Sequence, residues 1–217
     1  MDERPALPLD SAPSHSAPRF FAVIPAAGRS ARMGQPKLLL PWAGGTLIEH
    51  VIGQWLASSV CRVIVVLHHD DVDLAETCRR ARATVVVPAI PPPDMKSSVS
   101  HALNSIVAEN TPMPTDAWLL APADMPRLST RLIDFIIAAY DPDSPQIIVP
   151  KYSGRRGHPV LFPWAMAGEV ARLGPTEGLN LLVNRGPVRE LEWPDDGPLV
   201  DIDTPTDYRR WRGDQLG

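Results

Sequence analysis

Phe20-Phe21-Ala22-Val23-Ile24-Pro25-Ala26-Ala27-Gly28-Arg29-Ser30-Ala31-Arg32-Met33-Gly34-Gln35-Pro36-Lys37-Leu38-Leu39-Leu40-Pro41 is the stretch on which the fold turns. It opens with an apolar run, residues 20–24, of strand length and composition. A loop of small residues follows, beginning at Ala26-Ala27-Gly28 and closing near Gly34. Arg29, Arg32 and Lys37 lie in or just after it, and no Asp or Glu occurs between Asp10 and Glu49. In a chain of net charge -4 this is a local concentration of positive charge. A buried strand feeding such a loop suits phosphate: small residues let the backbone approach, N–H groups point at the oxygens, and cations neutralise them. The spacing fits neither the P-loop nor the dinucleotide fingerprint. An ordinary strand-to-helix turn with surface arginines accounts for the stretch equally well when it is taken alone.

Outward from this stretch, strands and helices alternate. Leu47, Ile48, Val51, Ile52, Trp55 and Leu56 share one helical face. Residues 62–67 and 84–87 read as buried parallel strands flanking a polar helix over 70–82. A helix with Val99, Ala102, Leu103, Ile106 and Val107 on its apolar face follows Pro91-Pro92-Pro93, and Ser97 or Ser98 is the expected cap. Residues 117–121 form a further strand; Ser129 caps a helix carrying Leu132, Ile133, Ile136, Ile137 and Tyr140, and residues 147–149 are the next strand. This alternation implies βαβ units: a three-layer α/β/α domain on a mainly parallel, Rossmann-like sheet. Residues 1–19, with Pro5, Pro8, Pro13 and Pro18 among Ser11, Ser14 and Ser16, have no periodicity and read as a disordered extension. Residues 20–217 read as one domain.

Composition narrows the function classes. No apolar run approaches the roughly 20 residues of a membrane span, and a mildly acidic chain offers no footprint for nucleic acid. Cys61 and Cys78 have no metal-site context and read as reduced thiols, which places the expectation in the cytoplasm. His68 and His69 end a strand on the ligand side of such a sheet, but a surface pair is the favoured reading, because no third metal ligand stands at a convincing spacing. Asp124 follows the strand at 117–121 and is fixed by Met125-Pro126. Alternation in a strand over 199–203 puts Asp201 and Asp203 on one face, with Thr204-Pro205 starting the last helix. Either aspartate has a capping role as its plain alternative.

Ala26-Ala27-Gly28-Arg29-Ser30-Ala31-Arg32-Met33-Gly34-Gln35-Pro36-Lys37 resembles the signature loop of nucleotidyltransferases with the nucleotide-diphospho-sugar transferase fold, and within them the molybdenum cofactor cytidylyltransferases. Leu120-Ala121-Pro122-Ala123-Asp124-Met125-Pro126, Gly154-Arg155-Arg156-Gly157-His158-Pro159-Val160-Leu161-Phe162 and Asp201-Ile202-Asp203-Thr204-Pro205 resemble later motifs of that family, so the likeness covers about residues 20–210. It implies transfer of CMP from CTP to the phosphate of molybdopterin, with pyrophosphate released. In that reading Lys37, Arg32 and Asp124 are catalytic, and Asp124 and Asp203 hold Mg²⁺. Ala26, Ala27, Gly28, Arg29, Ser30, Met33, Gly34, Lys37, Met95, Ser97 and Ser98 bind the nucleotide, and Gly157, His158 and Pro159 face the acceptor. A molybdenum hydroxylase is the implied recipient of the product. The sequence departs from the family at Asp94, Lys96 and Ser100 in the loop that would help form the base pocket. Guanylyl transfer, transfer to a sugar phosphate, and a non-catalytic cofactor-holding module remain open.

Overall fold

The computed structural model describes residues 17–28 and 33–213. The strands, in chain order, are β1 (Phe20–Pro25), β2 (Pro41–Trp42), β3 (Gly45–Thr46), β4 (Arg62–Val66), β5 (Thr84–Val86), β6 (Ala117–Leu120), β7 (Ile147–Tyr152), β8 (Arg155–Arg156), β9 (Val160–Pro163) and β10 (Val188–Glu192). The helices are α1 (Leu47–Leu56), α2 (Val72–Arg80), α3 (Met95–Asn110), α4 (Thr130–Ala138), α5 (Ala167–Val170), α6 (Asn180–Arg185) and α7 (Pro205–Gly213). The main sheet runs β10-β7-β9-β6-β1-β4-β5, with β8 paired to β7. β1 lies parallel between β4 and β6, and β9 is inserted antiparallel between β6 and β7. The chain thus crosses to opposite sides of β1, and in such a sheet the crevice above that strand's carboxyl end is where ligands bind.

Alternation along β1 builds both cores. Phe20, Ala22 and Ile24 face α1, α2 and α4, whereas Phe21 and Val23 face α3, α5 and α6. Each fully buried large apolar side chain contributes about 1.5–3 kcal/mol, so this one strand anchors the domain from both faces. The three-layer reading from sequence is therefore borne out. Helix α1 starts at a capping box in which Thr46 Oγ1 accepts from the Glu49 N–H while Glu49 accepts from the Thr46 N–H.

Several local expectations change. Leu56 and Val107 are exposed at the edges of their helical faces. Asp94, not Ser97 or Ser98, caps α3: its carboxylate accepts the Ser97 N–H at 2.8 Å and the Ser97 hydroxyl at 2.6 Å. Residues 200–203 form no strand ladder; the Ile202 N–H donates to the Asp124 carbonyl instead. Arg19, assigned by composition to the extension, is docked. Its guanidinium and backbone N–H both donate to Asp116. Residues 1–16 of the extension lie outside the described residues. Cys61 and Cys78 are free, and burial pushes the Cys78 thiol up to about 12. Among the described residues no helix is long and apolar enough to cross a membrane.

Candidate active site

Ala26, Ala27 and Gly28 leave β1 at the crevice, held by a hydrogen bond from the Ala26 N–H to the Val66 carbonyl at the end of β4. They line a cavity of about 610 Å³ with Lys37, His68, Met95, Ser98, Asp124 and Asp203. Lys37 opens a single 3₁₀ turn whose next residue, Leu38, is buried in the core. That anchor aims the lysine across the cavity floor. Its ammonium donates to Asp124 Oδ2 at 2.5 Å, to the Ile202 carbonyl at 2.8 Å and to Asp203 Oδ1 at 3.2 Å. Both Lys37 and Asp124 side chains are largely covered, at 15 and 18 % exposure. Charge-assisted contacts shielded from water are stronger than exposed ones.

The two aspartates reach this point by different routes. Asp124 follows β6, and buried Met125 pins the turn beside it. Asp203 is placed by the Ile202–Asp124 backbone bond and by the start of α7, where Asp207 accepts from the Asp203 and Thr204 N–H groups. Asp201 stands nearby. Its carboxyl is pushed above the ordinary range, first by burial and then by the charges of Asp124 and Asp203. Negative charge is thus in excess around one ammonium, and hard oxygen donors of this kind suit Mg²⁺.

Of the residues expected at the nucleotide, Ala26, Ala27, Gly28, Lys37, Met95 and Ser98 line the cavity. Met33 does not: it is buried in the core. Gly34, in the left-handed region at φ 66°, lines an adjoining cavity of about 410 Å³ that shares Lys37 and His68. The Ser97 hydroxyl is turned to Asp94. Arg29, Ser30 and Arg32 lie outside the described residues.

A second cavity, of about 760 Å³, adjoins the first across Asp94 and Met95. Gly157 and His158 line it, while Pro159 is buried behind them. Gly157 is required by close approach, since a Cβ there would lie 2.3 Å from the Pro198 carbonyl oxygen. His158 Nδ1 lies 3.2 Å from the Leu120 carbonyl, so that nitrogen donates, and burial holds the ring's pKa below its ordinary value. The neutral ring therefore leaves Nε2 as an acceptor. Of the two roles weighed for this histidine, the bond to backbone is present, and the ring also lines the larger cavity.

Sequence reasoning missed the far wall of this cavity, formed by residues 175–180. Lys96 holds it. Its ammonium donates to the carbonyls of Gly174, Pro175 (2.9 Å) and Glu177 (3.0 Å). Arg156 also lines the cavity, its Nε 2.7 Å from Glu190 Oε1. The signal for Lys96 was its departure from a small residue, but its carbonyl partners lie about 80 positions on, beyond any local pattern.

Residues 22–190 match the MobA-like NTP transferase domain. The chain belongs to that family. This MobA-like chain is 28 % identical over 188 residues to the molybdenum cofactor cytidylyltransferase of Escherichia coli (strain K12), covering 86 % of this chain and 92 % of that protein. It is 29 % identical over 205 residues to the purine catabolism protein PucB of Bacillus subtilis (strain 168), covering 88 and 95 %. A probable molybdenum cofactor guanylyltransferase of Bacillus thuringiensis (strain Al Hakam) is 29 % identical over 139 residues, 64 % of each chain. Among solved structures, Rv0371c of Mycobacterium tuberculosis H37Rv superposes with a TM-score of 0.75 at 30 % identity, covering 92 % of this chain and all of that one. A further structure of Rv0371c is a complex with manganese, with a TM-score of 0.69 at 29 % identity. The MobA-like chain thus has the nucleotide-diphospho-sugar transferase fold and belongs to a family of nucleotidyltransferases.

Proposed function

We propose that the chain transfers CMP from CTP to the phosphate of molybdopterin, releasing pyrophosphate. The observation that carries this reading is Lys37 held between Asp124 and Asp203 on the floor of one cavity that opens beside a second. Two adjoining chambers suit a donor nucleotide and a bulky acceptor. Asp124 and Asp203 would hold Mg²⁺, and Asp201 supplies further negative charge. When bound, the ion neutralises phosphate oxygens and orients the donor. Lys37 reaches far enough to exchange a carboxylate partner for a triphosphate oxygen, and Arg32 is proposed to join it from the loop. Catalysis then consists of positioning and charge neutralisation. A phosphate acceptor is largely ionised at neutral pH, its second pKa being about 6, so the reaction needs no general base. His158 Nε2 and the Gly157 backbone would meet the acceptor in the larger chamber.

CTP is supported by the signature loop, by Leu39-Leu40-Pro41-Trp42 and by the cytidylyltransferase relative, which spans most of the chain. Guanylyl transfer is the second reading, favoured by the guanylyltransferase relative at the same level of identity. Asp94 bears on the choice. The Ser97 hydrogen bond, first among the causes, holds its carboxyl below the ordinary range, so it puts a negative charge where the resembled motif has glycine. A molybdenum hydroxylase is the proposed recipient of the product. Retention of Lys37, Asp124 and Asp203 speaks against a silent binding module.

The test is calorimetric titration with CTP and with GTP in Mg²⁺, followed by pyrophosphate release with molybdopterin. Preferred CTP binding with turnover supports the reading. Tighter GTP binding replaces the base. CTP-dependent turnover only on a sugar phosphate replaces the acceptor.

A further inference from the structure

Lys37, Asp124 and Asp203 come from three separate stretches of chain, and all three stretches meet again at one aromatic cluster. The stretch that carries Lys37 runs on to Pro41 and Trp42, that of Asp124 to Pro126, and that of Asp203 to Tyr208. Trp42 is buried at the centre, its ring centroid 6.3 Å from that of His50 and 6.2 Å from that of Tyr208. His50 Nε2 donates to the Pro126 carbonyl at 3.1 Å, and the Tyr208 hydroxyl donates to the Pro41 carbonyl at 2.7 Å. One ring contact and one hydrogen bond thus tie the start of α7 to the segment that leaves Lys37.

The charges in the cavity give this tie a purpose. Asp124, Asp201 and Asp203 crowd one ammonium, and like charges push apart. In the reaction proposed above, Lys37 exchanges a carboxylate for a triphosphate oxygen, so it cannot also fix the spacing of the carboxylates. The Tyr208 bond spans 167 positions and leaves both partners of that exchange untouched. From the hydroxyl to Asp203 the link is stiff. The Tyr208 N–H donates to the Thr204 carbonyl, and Asp207 accepts the N–H groups of Asp203 and Thr204. The Arg212 guanidinium also lies against the tyrosine ring, 5.7 Å from its centroid.

We propose that Tyr208 is a positioning residue of the nucleotidyl-transfer site. Its hydroxyl, bonded to Pro41, fixes the span between Lys37 and Asp203 across which the metal and the triphosphate bind. The inference rests on the reading of Asp124 and Asp203 as the metal ligands. Catalysis by positioning tolerates little slack: a misplacement of about 1 Å costs about 10²-fold. Tyr208→Phe keeps the ring contacts and removes the hydroxyl alone.

The experiment titrates Mn²⁺, a spectroscopic substitute for Mg²⁺, into the full chain without nucleotide, and follows the electron-spin signal of the free ion. Parent, Tyr208→Phe, Asp203→Asn, the double variant and Tyr140→Phe are compared. Tyr140 is the control: its hydroxyl donates to the Asp116 carbonyl, and it lines neither chamber. Tyr208→Phe should bind Mn²⁺ with unchanged stoichiometry and about tenfold lower affinity, and Tyr140→Phe should bind like the parent. The Mg²⁺ needed for half-maximal pyrophosphate release should rise by the same factor. Adding Tyr208→Phe to Asp203→Asn should change little, because the hydroxyl acts through that carboxylate. A merely structural role would lower the stoichiometry and leave the affinity of the folded fraction intact. That result, equal affinity in Tyr208→Phe, or full additivity in the double variant overturns the inference alone. Failure of the parent to bind Mn²⁺ overturns the metal reading of the aspartates and the inference with it.

Discussion

Asp116→Asn should destabilise the domain without touching either cavity. Asp116 is 1 % exposed and accepts four N–H groups: the Arg19 backbone at 2.8 Å, Arg19 Nε at 3.2 Å, Arg19 Nη2 at 2.7 Å and the Met113 backbone at 2.8 Å. Asparagine keeps the shape, but it places an NH₂ group against donors and removes the charge. Breaking a buried pair costs about 3–5 kcal/mol. Arg19 is 39 % exposed and can rehydrate, which argues for the lower end, about 3 kcal/mol. At about 2–4 °C per kcal/mol for a domain of this size, the melting temperature should fall by about 6–12 °C. Differential scanning calorimetry measures it. Truncation gives an independent check. A chain starting at Arg19 should melt like the parent, because it keeps the clamp, whereas a chain starting at Phe20 should lose stability. Combining the Phe20 start with Asp116→Asn should add little, since both changes remove the same contact. A shift under about 2 °C for Asp116→Asn, or full additivity of the pair, would refute this account of how β1 is anchored.

Three further outcomes concern the site and pH. Asp124→Asn should abolish Mg²⁺-dependent pyrophosphate release while leaving circular dichroism unchanged; near-normal turnover at saturating Mg²⁺ would remove Asp124 from the mechanism. Lys37→Ala should raise the nucleotide KM and lower kcat, with kcat/KM down by about 10²–10³, as for loss of one stabilising donor; unaltered steady-state kinetics would leave Lys37 a structural clamp. Burial holds the pKa values of His50 and His158 below their ordinary 6.5 in the folded state. The unfolded chain then binds protons that the folded one refuses, so stability is full above pH 6.5 and falls as pH drops from there toward the folded values. Urea midpoints should decrease between about pH 7.5 and about pH 5.5, and His50→Gln should shrink the decrease; an equal fall in that variant would count against His50.

The sequence exposed those parts of the fold whose signal is local. Phe20 to Ile24 reads as a strand because it is uniformly apolar and buried on both faces. Helix α1 reads correctly at its core because Leu47, Ile48, Val51, Ile52 and Trp55 keep a helical period. The errors lie at the margins, where Leu56 and Val107 continue the pattern past the neighbouring surface. Edge strand β10 was missed because Arg189, Glu190 and Glu192 make it polar; a sheet edge half in water needs no apolar alternation. Asp94 outcompetes the serines as cap because its carboxylate accepts both Ser97 groups at once. In the site, Lys37, Asp124 and Asp203 were each legible from motifs, but the placing of the lysine between the two aspartates was not. Its contacts span 87 and 166 positions, and only the crossing of the chain at β1 brings them together.

The Lys96 ammonium has a consequence for how the two chambers share space. Residues 174–178 are tied to the first turn of α3 by one cation and the backbone oxygens it gathers. Asp94 and Met95, just before it, form the partition between the chambers. The outer wall of one room and the dividing wall of both therefore hang from one hinge pin. A guest that stretches the larger chamber must pull on the pin, and the tug is felt on the nucleotide side. A guest that firms the partition from the nucleotide side stiffens the outer wall in return. By reciprocity these two effects are equal in free energy.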